Sequence, residues 1–285
     1  HVAVLTGALI MVLGATAAGV RFDGEGYGLL AFFQTLFLIQ AWFPTDAELN
    51  WSGPSWSLSA EWFAYLLFPA YAWLALRLRT RPWVLLGIGA AAFVVLDAFY
   101  VQAFGKVLPR AEDSLGILRI APEFLVGMAL YGLGHRWRWS PPVAAAAALS
   151  TTVLLLGAMQ LSLDDRIIVA LAAPVILTWS LLARADCEGP LAAPGLVFAG
   201  EASFALYLVH MPVIVAWKGV VAELRGVDST FRITPVELIG LFIATALMAA
   251  ALHLLVEKPG RNWIRRRFDG RRAARDPAAL TQPEP

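Results

Sequence analysis

The sequence predicts an all-α protein, a polytopic bundle of about eight transmembrane helices. Three observations carry this. The residues are 59% hydrophobic and only 15% charged, with a mean hydropathy of +0.67; soluble domains are about 45–50% apolar and about 25% charged. The apolar excess is gathered into recurring runs of membrane-spanning length bounded by short polar stretches, not spread as amphipathic stripes. Few ionisable side chains fall inside those runs, as a hydrocarbon solvent requires.

The first expected span is 2–20. It opens from His1 with no charged leader and no small-residue cleavage site, so it is not a signal peptide. It reads as a chain that has lost its natural start. The run 28–43 is barely long enough to cross and holds Gln34 and Gln40. It is expected to be a short interfacial or re-entrant helix. The remaining spans are expected at 55–76, 83–104, 115–134, 142–161, 166–183, 196–217 and 235–256. Pro54 suits the first turn of the helix it opens, where a missing N–H costs nothing. Pro259 is expected to stop the last span. A membrane domain over 1–267 is followed by a tail over 268–285, expected to be cytoplasmic and disordered.

Charge orients the bundle. With eight spans both ends share one side, whose loops and tail hold 14 Lys and Arg residues, against 7 on the other. The first set includes Arg77, Arg79, Arg81, Arg136, Arg138 and the basic run from Lys258. The positive-inside rule puts both termini in the cytoplasm, and the chain in an inner, cytoplasmic membrane. The run WIRRRFDGRR interleaves Trp263, Ile264 and Phe268 with arginines, which suits anionic headgroups. The net charge of +1 gives no reason to expect nucleic acid. The expected partner is the bilayer.

Several chemistries find no support. One cysteine, Cys187, makes neither a disulfide framework nor a metal cluster, and reads as a loop thiol without a role. There is no phosphate-binding glycine loop, no nucleophile elbow and no zinc spacing, so no metal and no resident cofactor are expected.

Polar groups at membrane depth are costly and are therefore the candidate site. Ser57, Glu61 and Tyr65 recur at i, i+4, i+8 and share one helix face; Trp56 and Ser59 lie beside them. Arg119 and Glu123 are an i, i+4 pair near the outer end of their span. Ser203, Tyr207 and His210 fall on one stripe at i, i+4, i+7. His253 and Glu257 close the last span, and His253 reads there as a charged anchor at the headgroups.

Three strings together resemble the acyltransferase-3 family of integral-membrane O-acyltransferases. Trp56-Ser57-Leu58-Ser59-Ala60-Glu61, continued by Tyr65 and Phe68-Pro69, is similar to its W-S-L-S-x-E…Y…F-P signature. Ser203-Phe204-Ala205-Leu206-Tyr207-Leu208-Val209-His210-Met211-Pro212 resembles S-Y-S-L-Y-L-x-H-x-P. Val256-Glu257-Lys258-Pro259 resembles the closing E-x-P, which makes Glu257 and Pro259 structural-motif positions. Arg119 within RIAPEFLVGM resembles the family's arginine-then-F-x-x-G-M helix. Phe204 departs from a usual tyrosine, and Trp62 and Phe63 stand where polar residues are common.

The resemblance implies a family core of about ten helices, two of which would precede His1 and carry a histidine and an Arg-x-x-Arg pair that this chain lacks. It implies transfer of an acetyl or similar acyl group from acyl-CoA to a hydroxyl of a cell-surface or exported carbohydrate. The expected catalytic residues are Glu61, orienting or activating the acceptor, Arg119, stabilising charge, and His210, which lines the pocket wall with Tyr207. Trp56, Ser57, Ser59, Tyr65, Glu123, Ser203 and Tyr207 are expected to contact substrate. Depth along the spans further leads one to expect Glu61, Arg119 and His210 at a similar level, converging on one shared site near the outer leaflet. A transporter moving a polar solute or acyl-sugar without chemistry would also use polar residues at membrane depth. It favours repeat symmetry, and none is evident.

Overall fold

The computed structural model describes residues 28–45, 53–112, 114–185, 189, 192–227 and 231–275, with side chains as far as Arg267. The expected span 2–20, Cys187 and the end of the tail lie outside these residues. Among them every regular element is helical. In chain order the helices are α1 (Leu29–Leu36), α2 (Trp56–Arg77), α3 (Pro82–Phe104), α4 (Ile117–Gly134), α5 (Pro141–Gln160), α6 (Asp165–Ala183), α7 (Pro194–Arg225), α8 (Pro235–Leu252) and α9 (Lys258–Arg275). Six described segments are long and apolar enough to cross a membrane, the last running continuously from α8 through α9 to Arg267. Each corresponds to an expected span. Helix α2 has 22 residues and also sits where a span was expected, but it carries Ser57, Ser59, Glu61 and Tyr65. The protein is an all-α transmembrane bundle.

Within 28–43 the helix α1 is short. Its 8 residues rise about 12 Å, well short of the hydrocarbon thickness of about 30 Å. Leu38, at a φ of +56°, breaks it, and a 3₁₀ turn over Gln40–Trp42 follows.

The described residues divide into two compact units, one within 24–192 and one within 193–275. In the first, α3 pairs with α4 and α5 with α6, while α4 also packs on α2 and α6. Small residues let the backbones approach, the usual solution where lipid removes any hydrophobic drive between helices. Ala64, Ala129, Ala144 and Ala148 are all buried. Gly89 is a close approach of α3 to α4. A Cβ there would lie 2.9 Å from Val126 Cγ2 and 3.2 Å from the Val126 backbone nitrogen. Gly87, two residues away, has nothing within 4 Å of its position for a Cβ. Gly89→Leu should therefore destabilise the unit by about 1–3 kcal/mol or more through overpacking, and Gly87→Leu should not; thermal unfolding in detergent reads the difference. Between α5 and α6 the Thr151 and Thr178 hydroxyls lie 2.9 Å apart, and Trp179 Nε1 donates to Thr152 Oγ1 at 2.9 Å.

In the second unit α7 runs 32 residues, past the expected end near 217, until Gly226 takes a left-handed φ of +65°. Pro212 and Gly219 lie inside α7 without ending it, and the helix outlasts its apolar run. Helix α8 starts with a reciprocal Thr234–Glu237 capping box, and Arg225 at the end of α7 pairs with Glu237 at 2.6 Å. Pro259 does not stop the last helix, contrary to expectation. A π turn over His253–Glu257 precedes it, and Pro259 falls in the first turn of α9. The wider turn accommodates a residue with no N–H to donate. Helix α9 then continues to Arg275, beyond the point where the sequence ends the membrane domain.

Candidate functional site

The start of α2 is clamped before it presents any side chain. Gln40 Nε2 donates to Ser55 Oγ at 2.8 Å, Ala41 N–H donates to Ser59 Oγ at 3.1 Å, and Trp42 Nε1 donates to the Ser59 carbonyl at 2.9 Å. Ser59 is fully buried, so its hydroxyl serves this clamp. Ser57 turns back onto the Pro54 carbonyl at 3.3 Å. The Trp42 ring meets Phe63 edge-on at 5.3 Å. The 3₁₀ turn thus fixes the rotation of α2 about its axis, which decides where Trp56 and Glu61 point.

Trp56 points at Arg119. Its ring lies 5.4 Å from the Arg119 guanidinium carbon, a cation–π contact. Arg119 Nε donates to Glu123 Oε1 at 2.9 Å and Nη1 to the Pro109 carbonyl at 2.7 Å. The guanidinium is therefore held from three directions. It borders a cavity of about 580 Å³ lined by Lys106, Pro109, Arg110, Glu112 and Asp165. This is the polar end of the unit, where Arg110 pairs with Asp165 at 2.5 Å. Glu123 borders a second, apolar cavity of about 880 Å³. The Arg119–Glu123 ion pair thus stands between two cavities of opposite character.

Further along α2, Tyr65 donates its hydroxyl hydrogen bond to Glu61. The expected shared face of Glu61 and Tyr65 is present, whereas Ser57 is engaged elsewhere. In the other unit, Ser203 Oγ donates to the Gly200 carbonyl at 2.7 Å, and His210 Nδ1 sits 2.6 Å from the Tyr207 carbonyl. The Tyr207 and His210 rings are 5.8 Å apart on α7. The hydrogen bond at Nδ1 orients the ring and leaves Nε2 as the chemically addressable nitrogen.

Several polar groups escaped the sequence reading. Asp97 is buried in α3, accepts from Leu108 N–H at 2.9 Å and pairs with Arg166 at 2.7 Å. A carboxylate inside an apolar run was a signal available in the sequence. Gln40 acts through a clamp that no spacing announces. His253 is not a headgroup anchor. It is fully buried, with Nδ1 at 3.0 Å from Glu257 and Nε2 at 3.7 Å from Glu201, and it meets Phe198 edge-on. It ties α7 to the π turn, which gives Glu257 a structural partner. No group of three or more His, Cys, Asp or Glu suited to a metal occurs among the described residues.

A family model described as an acyltransferase domain, that of acyltransferase family 3, matches residues 2–254. The chain is similar to the acyltransferase MdmB of Streptomyces mycarofaciens, 29% identical over 248 residues, which are 81% of this chain and 64% of that protein. The match therefore spans just under two-thirds of the relative's length. No solved structure matches.

Proposed function

The chain belongs to the acyltransferase-3 family, and on that premise we propose that the whole protein is a membrane O-acyltransferase. It moves an acetyl or similar group from acyl-CoA to a hydroxyl of a cell-surface or exported carbohydrate. The supporting observation is Arg119, immobilised by Trp56, Glu123 and the Pro109 carbonyl at the edge of a polar cavity. A cation fixed in that way needs no reorganisation when negative charge develops beside it.

In the reaction the acceptor oxygen attacks the thioester carbon. A C–O bond forms, the C–S bond breaks, the hydroxyl proton passes to a base and the thiolate leaves. Glu61 is the base or orienting carboxylate, held by Tyr65. Arg119 stabilises the oxyanion. Ser203, Tyr207 and His210 form a polar stripe on α7, where the His210 ring is oriented through its Nδ1. The polar cavity beside Arg119 is suited to a carbohydrate, since Lys106, Glu112 and Asp165 offer donors and acceptors together.

This reading requires the Arg110–Asp165 end to face outward in an inner membrane and the Arg77–Arg81 end to face the cytoplasm, with both termini cytoplasmic. Reporter fusions after Arg81 and after Arg138 should read cytoplasmic, and fusions near Asp165 external. An external signal at Arg138 would end this topology. With inverted membrane vesicles of the full-length protein, labelled acyl-CoA added outside should label a lumenal carbohydrate acceptor. Transport of intact acyl-sugar with no transfer of label would support a transporter instead.

A further inference from the structure

The 880 Å³ cavity has a shape and charge distribution that the acyl-transfer reading does not use. It lies between α2, α4 and the start of α3, from around Glu123 at one end to Arg79, His135 and Arg136 at the other. Thirteen residues separate Glu123 from Arg136 along α4 and its exit, a rise of about 20 Å. That exceeds half of the hydrocarbon thickness, about 15 Å. Apart from Tyr131 and the groups at its two ends, the wall is apolar, with Leu76, Phe124, Gly127 and Met128 facing it.

The charged mouth sits at a definite depth. Trp83 and Trp137 rings are 5.8 Å apart and Trp137 and Trp139 are stacked at 5.9 Å, all at the same end of α3 and α4 as Arg79 and Arg136. Tryptophans gathered at the ends of spans mark the headgroup level. Arg136 Nη2 donates to the Arg79 carbonyl at 3.0 Å, which fixes the two cationic residues at one mouth. Cations at headgroup depth and an apolar trough below them are complementary to one class of molecule. A substrate arm bearing amides would lose its hydrogen bonds to water along this wall without replacement; a hydrocarbon tail loses none.

We propose that the groove holds one anionic phospholipid, with its phosphate on Arg79 and Arg136 and one acyl chain running along Gly127 toward Glu123. The site is a lipid-binding site separate from the acyl-transfer chemistry, and it would stand if that chemistry were wrong. Its occupant reaches Glu123, so it covers one flank of the ion pair that holds Arg119.

Gly127 supplies the test, because a Cβ there meets nothing within 4 Å and a longer side chain would enter the groove. Gly157 on α5 is equally open and does not line the groove. Full-length protein extracted with its native lipid would be studied by native mass spectrometry. Wild type and Gly157→Leu should retain one anionic phospholipid, and Gly127→Leu should lose it. Arg79→Gln with Arg136→Gln should lose the preference for anionic over zwitterionic lipid by about tenfold or more. A photo-reactive benzoylphenylalanine replacing Leu76, which faces the groove and is well exposed, reports the occupant in the otherwise native protein. It should cross-link to phospholipid. Cross-linking to another protein segment, or undiminished lipid in a folded Gly127→Leu, would overturn the proposal.

Discussion

Arg119→Gln in the full-length protein is expected to lower acyl transfer by about 10²–10³-fold, the usual cost of removing one preorganised oxyanion donor. The argument rests on how the guanidinium is held. Its Nε is spent on Glu123 and one Nη on the Pro109 carbonyl, while Trp56 covers its π face. Its remaining N–H groups are thereby aimed, and the adjoining polar cavity is where a substrate would meet them. The substitution also leaves Glu123 without its cation, and breaking one half of a partly buried pair is itself destabilising. The double variant Arg119→Gln with Glu123→Gln separates the two effects. It should recover thermal stability toward wild type and remain inactive. Recovery of activity along with stability would make Arg119 a packing element. Arg119→Lys should also fall far below wild type, because an ammonium cannot hold both the carboxylate and the carbonyl in the same fork geometry.

Glu61→Gln is expected to abolish acceptor acylation, a loss of about 10²–10⁴-fold, with the protein inserted and folded. The amide keeps an oxygen that can accept from Tyr65, so the local geometry survives while basicity is lost. Tyr65→Phe removes only the orienting donor and should cost far less, within about tenfold. The contrast matters more than either value. Equal losses in the two variants would assign Glu61 to structure, and an active Glu61→Gln enzyme would move proton removal to another group. His210 would then be the next to test.

Much of the architecture was legible because lipid imposes a strong rule. Every backbone group must be satisfied within a helix, so apolar run length translates directly into spans. Seven of the eight expected spans fall on described helices, within a few residues at most ends. The misplacements came at ends where hydropathy falls but the helix persists. Helix α7 outlasts its apolar run because its stop is Gly226, and the last helix passes Pro259 because a π turn absorbs the missing donor. Helical register was legible too, since i, i+4 neighbours meet whatever surrounds them. The Arg119–Glu123, Glu61–Tyr65 and His253–Glu257 pairs are all of this kind.

By itself, the sequence determined that this is an all-α membrane protein of the acyltransferase-3 family, with polar groups at known heights along known helices. Local periodicity and the solvent's intolerance of exposed backbone suffice for the helices and the heights; the family is carried by the motif strings and by the family model that matches residues 2–254. Only the tertiary structure decided which of those groups meet across helices. Trp56 covers Arg119 because the Gln40–Trp42 turn rotates α2 into place, and His253 lies buried between Glu201 and Glu257 because α7 packs against the π turn. Such contacts depend on helix rotation and approach distance, which are settled by packing of small residues such as Gly89 and by buried hydrogen bonds far apart in sequence. One-dimensional spacing carries no record of either.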